Sequence, residues 1–231
     1  MSYETTVWEI YKGSIMEKII VADCDGVLLN WEYAFDCWMN ERGFFKGPKA
    51  DLEYDIGGRY GLTKEQGKKL VAEFNQSAAI GFLPALRDAA WYVKRLHEEH
   101  GYVFDVVTSL STDKHAAMLR ERNLKKVFGE NTFRKIKCLP TGANKKGYLK
   151  KYYENSGYFW IEDKVENADD GLAVGMKSLL VEHGFNMYEE NLLYPIVKNW
   201  KDIYDHIVDP LFKTYGPYGT YSEYNEKGVN K

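Results

Sequence analysis

The sequence has 231 residues and a mass of 26.8 kDa, which is enough for one domain with a small insertion. Its hydrophobic share of 45% and charged share of 28% are those of an ordinary globular protein and exclude a disordered or collagen-like chain. Lys and Arg number 31 and Asp and Glu number 34, so the net charge is −3. This balance lacks the basic excess of proteins that bind phosphate backbones, and we expect no nucleic-acid polymer as a partner.

Cysteine usage and hydropathy indicate the cellular compartment. The three cysteines, Cys24, Cys37 and Cys138, are widely spaced and form no CxxC pair, so neither a zinc site nor a disulfide framework is predicted. No apolar stretch approaches the roughly 18 residues of a membrane span, and residues 1–18 lack a basic start followed by a hydrophobic run. We therefore expect a soluble, cytoplasmic protein that binds no membrane. Its oligomeric state does not follow from the sequence.

Short β-branched runs alternate along the chain with amphipathic stretches. The runs predict strands over 18–23, 103–109, 134–139, 157–162 and 177–181. Apolar residues at helical spacing predict helices over 83–99, 113–122, 145–153 and 165–174. Elements that alternate in this way predict an α/β fold, in which helices cover both faces of a parallel sheet.

The first connection is too long for a simple crossover. Between Gly26 and Val103 lie 76 residues, whereas a βαβ crossover needs about a dozen. Helices are predicted over 31–42 and 63–77, with a turn at 55–59 between them. We expect a small helical cap over 28–83 and a core domain over 18–27 and 84–208. Residues 209–231 are rich in Gly and polar residues without periodicity, which predicts a mobile tail.

Two aspartates follow the first predicted strand. Asp23 and Asp25 flank a turn that Gly26 makes possible, at the carboxyl end of a strand, where ligands of open α/β sheets bind. Two carboxylates so close repel each other unless a cation lies between them or one is protonated. The pair therefore suggests Mg²⁺, which prefers oxygen ligands. The structural alternative is an Asx-turn combined with a helix cap.

Polar residues follow the later strands in a similar way. The second strand ends in Thr108 and Ser109, before the amides of the next helix, which is a suitable arrangement for phosphate. Lys145 begins a later helix and could supply a positive charge against phosphate oxygens. Lys146 beside it could fill the same role. The fourth strand ends in Glu162 and Asp163, and Asn167 and Asp170 follow shortly after it. Each feature alone is common, but their order at successive strand ends predicts one shared site.

This order resembles the four motifs of the haloacid dehalogenase superfamily of phosphohydrolases, over residues 18–183. The run Asp-Cys-Asp-Gly-Val-Leu that begins at Asp23 carries the resemblance most specifically, and Trp-Ile-Glu-Asp-Lys-Val-Glu-Asn from Trp160 supports it. The resemblance implies a Rossmann-like core with an inserted cap. It also implies a Mg²⁺-dependent phosphatase that works through an aspartyl-phosphate.

The resemblance assigns a role to each motif residue. Asp23 is implied as the nucleophile, and Asp25 as the acid that protonates the leaving oxygen and then activates water. Thr108, with Ser109, is implied to bind the phosphoryl group, and Lys145 to hold both it and the nucleophile. The implied metal ligands are Asp23, the backbone carbonyl of Asp25, and Asp163. The share of Glu162 in metal binding stays open.

The sequence says less about the substrate than about the reaction. Within the superfamily the chain looks most like the 5'(3')-deoxyribonucleotidases, which share an aromatic residue after the first motif, a Pro-containing exit from the cap and a Thr-Ser pair. These correspond here to Trp31, Pro84 and Thr108-Ser109. Trp31 would stack on a nucleobase, or else belong to the core of the cap. We expect a small phosphate ester as substrate, with a nucleoside monophosphate favoured. The alternatives are a sugar-phosphate phosphatase or phosphomutase, and a metal-binding domain without catalysis.

Overall fold

A computed structural model describes residues 17–209 of the chain. The predicted tail, apart from its first residue, and residues 1–16 lie outside the described part. Among residues 17–209, none of the helices combines the length and hydropathy that a membrane span requires.

A six-stranded parallel sheet forms the centre of the described chain, with strand order β3-β2-β1-β4-β5-β6. The strands are β1 Ile19–Ala22, β2 Val103–Ser109, β3 Phe133–Leu139, β4 Phe159–Glu162, β5 Lys177–Val181 and β6 Ile196–Val197. In β1, Ile20 and Ala22 join the larger hydrophobic cluster, whereas Ile19 and Val21 join a second cluster with Trp160. Because successive side chains of a strand point to opposite faces, the two clusters show that both faces of the sheet are covered. This confirms the predicted α/β class and its Rossmann-like sheet.

The α-helices of residues 17–209 are α1 Trp31–Asn40, α2 Ile56–Arg59, α3 Lys64–Gln76, α4 Ala89–Glu98, α5 Lys114–Phe128, α6 Lys146–Tyr153, α7 Val165–Ala173 and α8 Trp200–Val208. Short 3₁₀ turns occupy Ala50–Leu52 and Ala78–Gly81. Strand β6 and helix α8 were not predicted.

Four sequence predictions need correction. The turn at 55–59 is the short helix α2, which Asp55 caps by accepting a hydrogen bond from the Gly58 N–H at 3.0 Å. The helix predicted to end at residue 122 continues to Phe128, because buried apolar residues extend its inner face until Gly129, at φ 107°, ends it. The helix predicted over 145–153 begins one residue later, with Lys145 as its N-terminal cap residue.

The fourth correction concerns the helix predicted over 83–99, which begins only at Ala89. Its first residues instead lie beside residues 28–30. The Asn30 N–H donates to the Pro84 carbonyl at 2.9 Å, and the Leu86 N–H donates to the Leu28 carbonyl at 2.8 Å. These two chain segments connect the sheet to the helical insertion. A helix over 83–88 would break the hydrogen bonds between them. They lie at the limits proposed for the cap, 28 and 83.

Candidate active site

Three neighbouring strands bring the motif residues together. Strand β1 lies between β2 and β4, with Ala22 paired to Val106 on one side and to Ile161 on the other. Because the strands are parallel, the residues after their carboxyl ends meet at one edge of the sheet. The Asp23 N–H donates to the Ile161 carbonyl at 2.8 Å, which continues the ladder as far as the first aspartate.

Lys145 is the cation at the centre of this edge. Its ammonium lies 2.6 Å from Oδ2 of Asp23 and 2.8 Å from Oε1 of Glu162, and its side chain is 1% exposed. The rival Lys146 is 55% exposed and lies 3.3 Å from Asp170 instead. The geometry therefore distinguishes two lysines that the sequence could not, and brings Lys145 to the first aspartate.

Glu162 orients its neighbours. Its Oε1 accepts hydrogen bonds from Lys145 and from Nδ2 of Asn167, and its Oε2 accepts one from the Asp163 N–H at 2.8 Å. Both oxygens of this fully buried carboxylate are therefore engaged. Glu162 therefore fixes the lysine and the backbone of Asp163.

The charges and donor atoms of the cluster fit a divalent cation. Carboxylate oxygens of Asp23, Glu162 and Asp163 lie within 4.8 Å of one another. When ionised, these three groups and the Lys145 ammonium carry a net charge of −2. Only oxygen donors are offered, which is the preference of hard ions such as Mg²⁺. A bound divalent cation balances the cluster, and its absence leaves buried negative charge in excess.

The pKa values of the cluster reflect the same excess of negative charge. Burial, together with the neighbouring carboxylates and against the attraction of Lys145, raises the pKa of Asp23 to about 7. Burial and the Asp23 charge raise the pKa of Asp163 to about 7 as well. Burial works against the charged form of Lys145, but Asp23 and Glu162 outweigh it and raise its pKa. Lys145 therefore stays an ammonium while the aspartates resist ionisation without a cation.

Gly26 allows Asp163 to approach the first loop. Its φ is 73°, and a Cβ atom at this position would lie 2.1 Å from Oδ2 of Asp163. The Gly26 carbonyl pairs with Nε2 of His183 at 2.7 Å, and Asn186 donates to the Asp163 carbonyl at 2.7 Å. The loop after β5 therefore supports both sides of the candidate metal site, a contribution that the sequence analysis did not identify.

Asp25 has a buried partner that the sequence analysis missed. Arg120 of α5 donates from Nη1 to Oδ1 at 2.5 Å and from Nη2 to Oδ2 at 3.2 Å. Arg120 is fully buried, whereas the Asp25 side chain is 23% exposed. A signal existed, since Arg120 lies between Ala116 and Leu124 at i, i+4 spacing on the buried face of α5. A charged residue in such a stripe implies a buried partner.

The two hydroxyls at the end of β2 differ in their partners. Thr108 is buried, and its Oγ1 has no hydrogen-bond partner within residues 17–209. Ser109 donates to the Ala143 carbonyl at 2.9 Å and so holds the loop that precedes Lys145. A buried hydroxyl without a partner is costly, and it is consistent with a ligand oxygen at Thr108.

A cleft of about 850 Å³ opens at this edge of the sheet, and of the two hydroxyl residues Ser109 borders it. Asp23, Lys145 and Asp163 form part of its lining, and Trp31 borders it from the insertion. The Trp31 indole stacks on Phe35 at 4.6 Å and donates from Nε1 to Asn75 at 2.9 Å. Trp31 therefore belongs to the aromatic packing of the insertion and also borders the cleft, so both of its predicted roles stay compatible with its position.

The remaining sequence-predicted residues lie around the cluster. Asp170 accepts a hydrogen bond from Nδ2 of Asn144 at 3.0 Å, which supports the loop before Lys145. Cys24, between the two aspartates, is fully buried, and burial raises its thiol pKa. This thiol is therefore a packing group and a poor nucleophile.

Comparison with known proteins shows the fold. No family model matches the chain. An uncharacterized 32.4 kDa protein from the Gp30-rIII intergenic region of Enterobacteria phage T4 is 24% identical over 160 residues, which are 67% of this chain and 56% of that protein. A haloacid dehalogenase-like hydrolase from Streptococcus pneumoniae superposes with a TM-score of 0.55 at 14% identity, over 83% of this chain and 98% of the other. A HAD family hydrolase from Deinococcus radiodurans, solved with bound phosphate and sodium, gives 0.53 at 17% identity, over 84% and 96%. The chain therefore has the fold of haloacid dehalogenase-like hydrolases.

Proposed function

We propose that this chain is a phosphatase that hydrolyses small phosphate monoesters, with a divalent cation, through an aspartyl-phosphate on Asp23. One observation carries the proposal: the buried Lys145 ammonium joins Asp23, after β1, to Glu162, at the end of β4. At the end of the neighbouring strand β2, the buried Thr108 hydroxyl has no hydrogen-bond partner within residues 17–209. A carboxylate, a fixed cation and a free hydroxyl at one sheet edge are what a phosphoryl group requires.

In the first half of the reaction, a carboxylate oxygen of Asp23 attacks phosphorus, and the bond from phosphorus to the leaving oxygen breaks. Asp25 gives its proton to that oxygen, so that an alcohol leaves. Lys145 and Thr108 hold the phosphoryl oxygens in line for the attack. A divalent cation, when bound, neutralises the repulsion between a carboxylate and a phosphate dianion.

In the second half, water attacks phosphorus and the acyl-phosphate bond breaks. Asp25, now a carboxylate, accepts the proton of the attacking water. Inorganic phosphate is released and Asp23 is restored. Arg120 keeps the Asp25 carboxylate in one orientation through both halves, since it binds both carboxylate oxygens.

We favour nucleoside monophosphates as substrates because an indole at the edge of the cleft can stack on a base. The phosphate bound in the Deinococcus protein supports a phosphate ligand for this fold. A sugar-phosphate phosphatase or phosphomutase remains the second candidate, since the cation and phosphoryl groups require the same residues. Steady-state rates on nucleotides and sugar phosphates separate the two, and uniformly faster sugar-phosphate hydrolysis would exclude the nucleotidase.

The test of the reaction compares p-nitrophenyl phosphate hydrolysis by the wild type and by Asp23→Asn, with MgCl₂ present. We expect activity in the wild type and none in the variant, because an amide oxygen cannot form the acyl-phosphate. Glu130→Gln, a change at an exposed carboxylate, is the control and keeps wild-type activity. Equal rates for Asp23→Asn and the wild type would contradict the proposal, and inactive wild-type protein would favour a metal-binding domain without catalysis.

A further inference from the structure

One face of helix α3 forms a wall of the cleft and carries two lysines. The α3 residues that border the cleft are Lys64, Lys68, Val71 and Ala72. Their spacing of four, three and one places them on one side of an α-helix. The beginning of α3 therefore offers two ammonium groups to the cleft, and the following turn offers apolar side chains.

Helix α3 is fixed relative to the candidate active site. A Cβ atom on Gly67 would lie 2.5 Å from the backbone nitrogen of Gly57, so α3 and α2 are in backbone contact. Further along α3, Asn75 accepts a hydrogen bond from Nε1 of Trp31 and donates to the Leu110 carbonyl at 3.2 Å. Leu110 directly follows β2, the strand of Thr108. The lysine face is therefore a set part of the cleft and not a loosely attached surface.

Within residues 17–209 the two lysines form no ion pair, whereas Glu32 and Asp55 of the cleft wall have partners. Glu32 forms an ion pair with Arg59 at 2.7 Å, and Asp55 caps helix α2. Within residues 17–209, no carboxylate lies within 4.0 Å of the ammonium of Lys64 or Lys68. Positive charge on the wall of a cleft attracts an anionic ligand, and within the described part of the chain neither of these ammonium groups is in contact with a carboxylate.

The two lysines lie at a distance from the point where α3 meets the end of β2. Lys68 precedes Asn75 by seven residues and Lys64 precedes it by eleven. At 1.5 Å per residue, they lie about 10 Å and about 16 Å along the helix axis from the point where Asn75 meets the end of β2. The two lysines therefore lie about two to three turns of α3 away from its contact with the end of β2. A second anionic group on a longer molecule can reach their flexible side chains.

We propose that Lys64 and Lys68 bind a second phosphoryl group of the substrate, so that an organic bisphosphate is hydrolysed more efficiently than the corresponding monophosphate, which the cleft also accepts. This inference rests on the proposed phosphatase function, which places the first phosphate at Asp23. The scaffold between the two phosphates then lies along Val71 and Trp31, where the cleft wall is apolar. A cleft of about 850 Å³ has room for a molecule of this size.

The experiment uses substrate pairs that differ by one phosphate: adenosine 5'-monophosphate with adenosine 3',5'-bisphosphate, and fructose 6-phosphate with fructose 1,6-bisphosphate. In the wild type we expect kcat/KM to favour the bisphosphate of at least one pair by about tenfold, which corresponds to about 1.4 kcal/mol. In Lys64→Met/Lys68→Met we expect this ratio to fall to about one, mainly through KM. Raising KCl to roughly 0.5 M should lower the ratio in the wild type and leave it unchanged in the variant.

Lys69→Met is the matched control, because Lys69 is an exposed lysine of the same helix that does not border the cleft. It keeps the wild-type ratio. A wild type that hydrolyses p-nitrophenyl phosphate without preferring either bisphosphate would overturn this inference alone, and so would equal losses in the double variant and in Lys69→Met. A wild type that hydrolyses no phosphate ester would instead overturn the proposed function.

Discussion

The most informative single substitution is Lys145→Met. It removes the ammonium that lies 2.6 Å from Asp23 and 2.8 Å from Glu162, and it replaces the side chain with an uncharged one of similar length. The three carboxylates of the cluster then have no buried cation, and the net charge of the cluster changes from −2 with Lys145 to −3 without it when all three are ionised. This substitution therefore tests whether the site is held together by charge.

The expected cost follows from the burial of the pair. Removing one partner of a buried ion pair lowers the free energy of unfolding by about 3–5 kcal/mol, because the other partner stays desolvated and uncompensated. Lys145 is 1% exposed and Glu162 is fully buried, so solvent screens neither charge. The cost should be largest near pH 8. It should shrink near pH 5, because Asp23 and Asp163, with pKa values of about 7, take up protons there and need less compensation.

Urea unfolding in EDTA, followed at pH 5 and pH 8, measures this cost. Lys146→Met is the matched control: that lysine is 55% exposed, and its contact with Asp170 at 3.3 Å should contribute less than about 1 kcal/mol. Equal losses for the two variants would refute the reasoning. A Lys145→Met deficit that grows as the pH falls would refute it as well.

Three further predictions concern the same edge of the sheet. With EDTA present, the wild type should lose stability as the pH rises from about 4 to 7, because the pKa values of Asp23 and Asp163 in the folded protein exceed the ordinary 3.8. In thermal unfolding, MgCl₂ should therefore restore more stability at pH 8 than at pH 5, and an equal effect of Mg²⁺ at both pH values would contradict this. Gly26→Ala should weaken Mg²⁺ binding in calorimetry, since its Cβ meets Asp163 at 2.1 Å and its φ is 73°; unchanged affinity would contradict the close approach. Arg120→Met should lower kcat more than it changes KM and should destabilise the protein by about 2 kcal/mol, because Asp25 loses a partner that binds both of its oxygens. A wild-type kcat in this variant would show that Asp25 does not need this partner.

Local patterns were sufficient for the sheet and for the order of the motif residues. Strands β1, β2, β4 and β5 contain short apolar runs, whereas β3 alternates basic with apolar residues. Parallel pairing brings the carboxyl ends of all five to one edge whatever the details of the connections. The proximity of Asp23, Lys145 and Asp163 could therefore be expected from sequence. Strand β6 could not, because its two residues give no periodic signal.

Contacts between distant segments account for what the sequence did not reveal. Arg120 and Asp25 are 95 residues apart, and no local pattern joins them. The choice between Lys145 and Lys146 also depended on the tertiary structure, since only the direction of the chain at the start of α6 decides which one is buried. The misplaced start of α4 has the same origin: residues 84–86 have helical spacing but bond to residues 28–30 instead.

The central claim is that Asp23 accepts the phosphoryl group, and chemical trapping tests it most directly. The protein is mixed with excess p-nitrophenyl phosphate and Mg²⁺, quenched with borohydride and analysed by peptide mass spectrometry. Hydride reduces an acyl-phosphate to an alcohol and releases phosphate, so the account predicts homoserine at position 23 and none in protein treated without substrate. Steady turnover with an unreduced Asp23, or with a reduced carboxylate at another position, would contradict it.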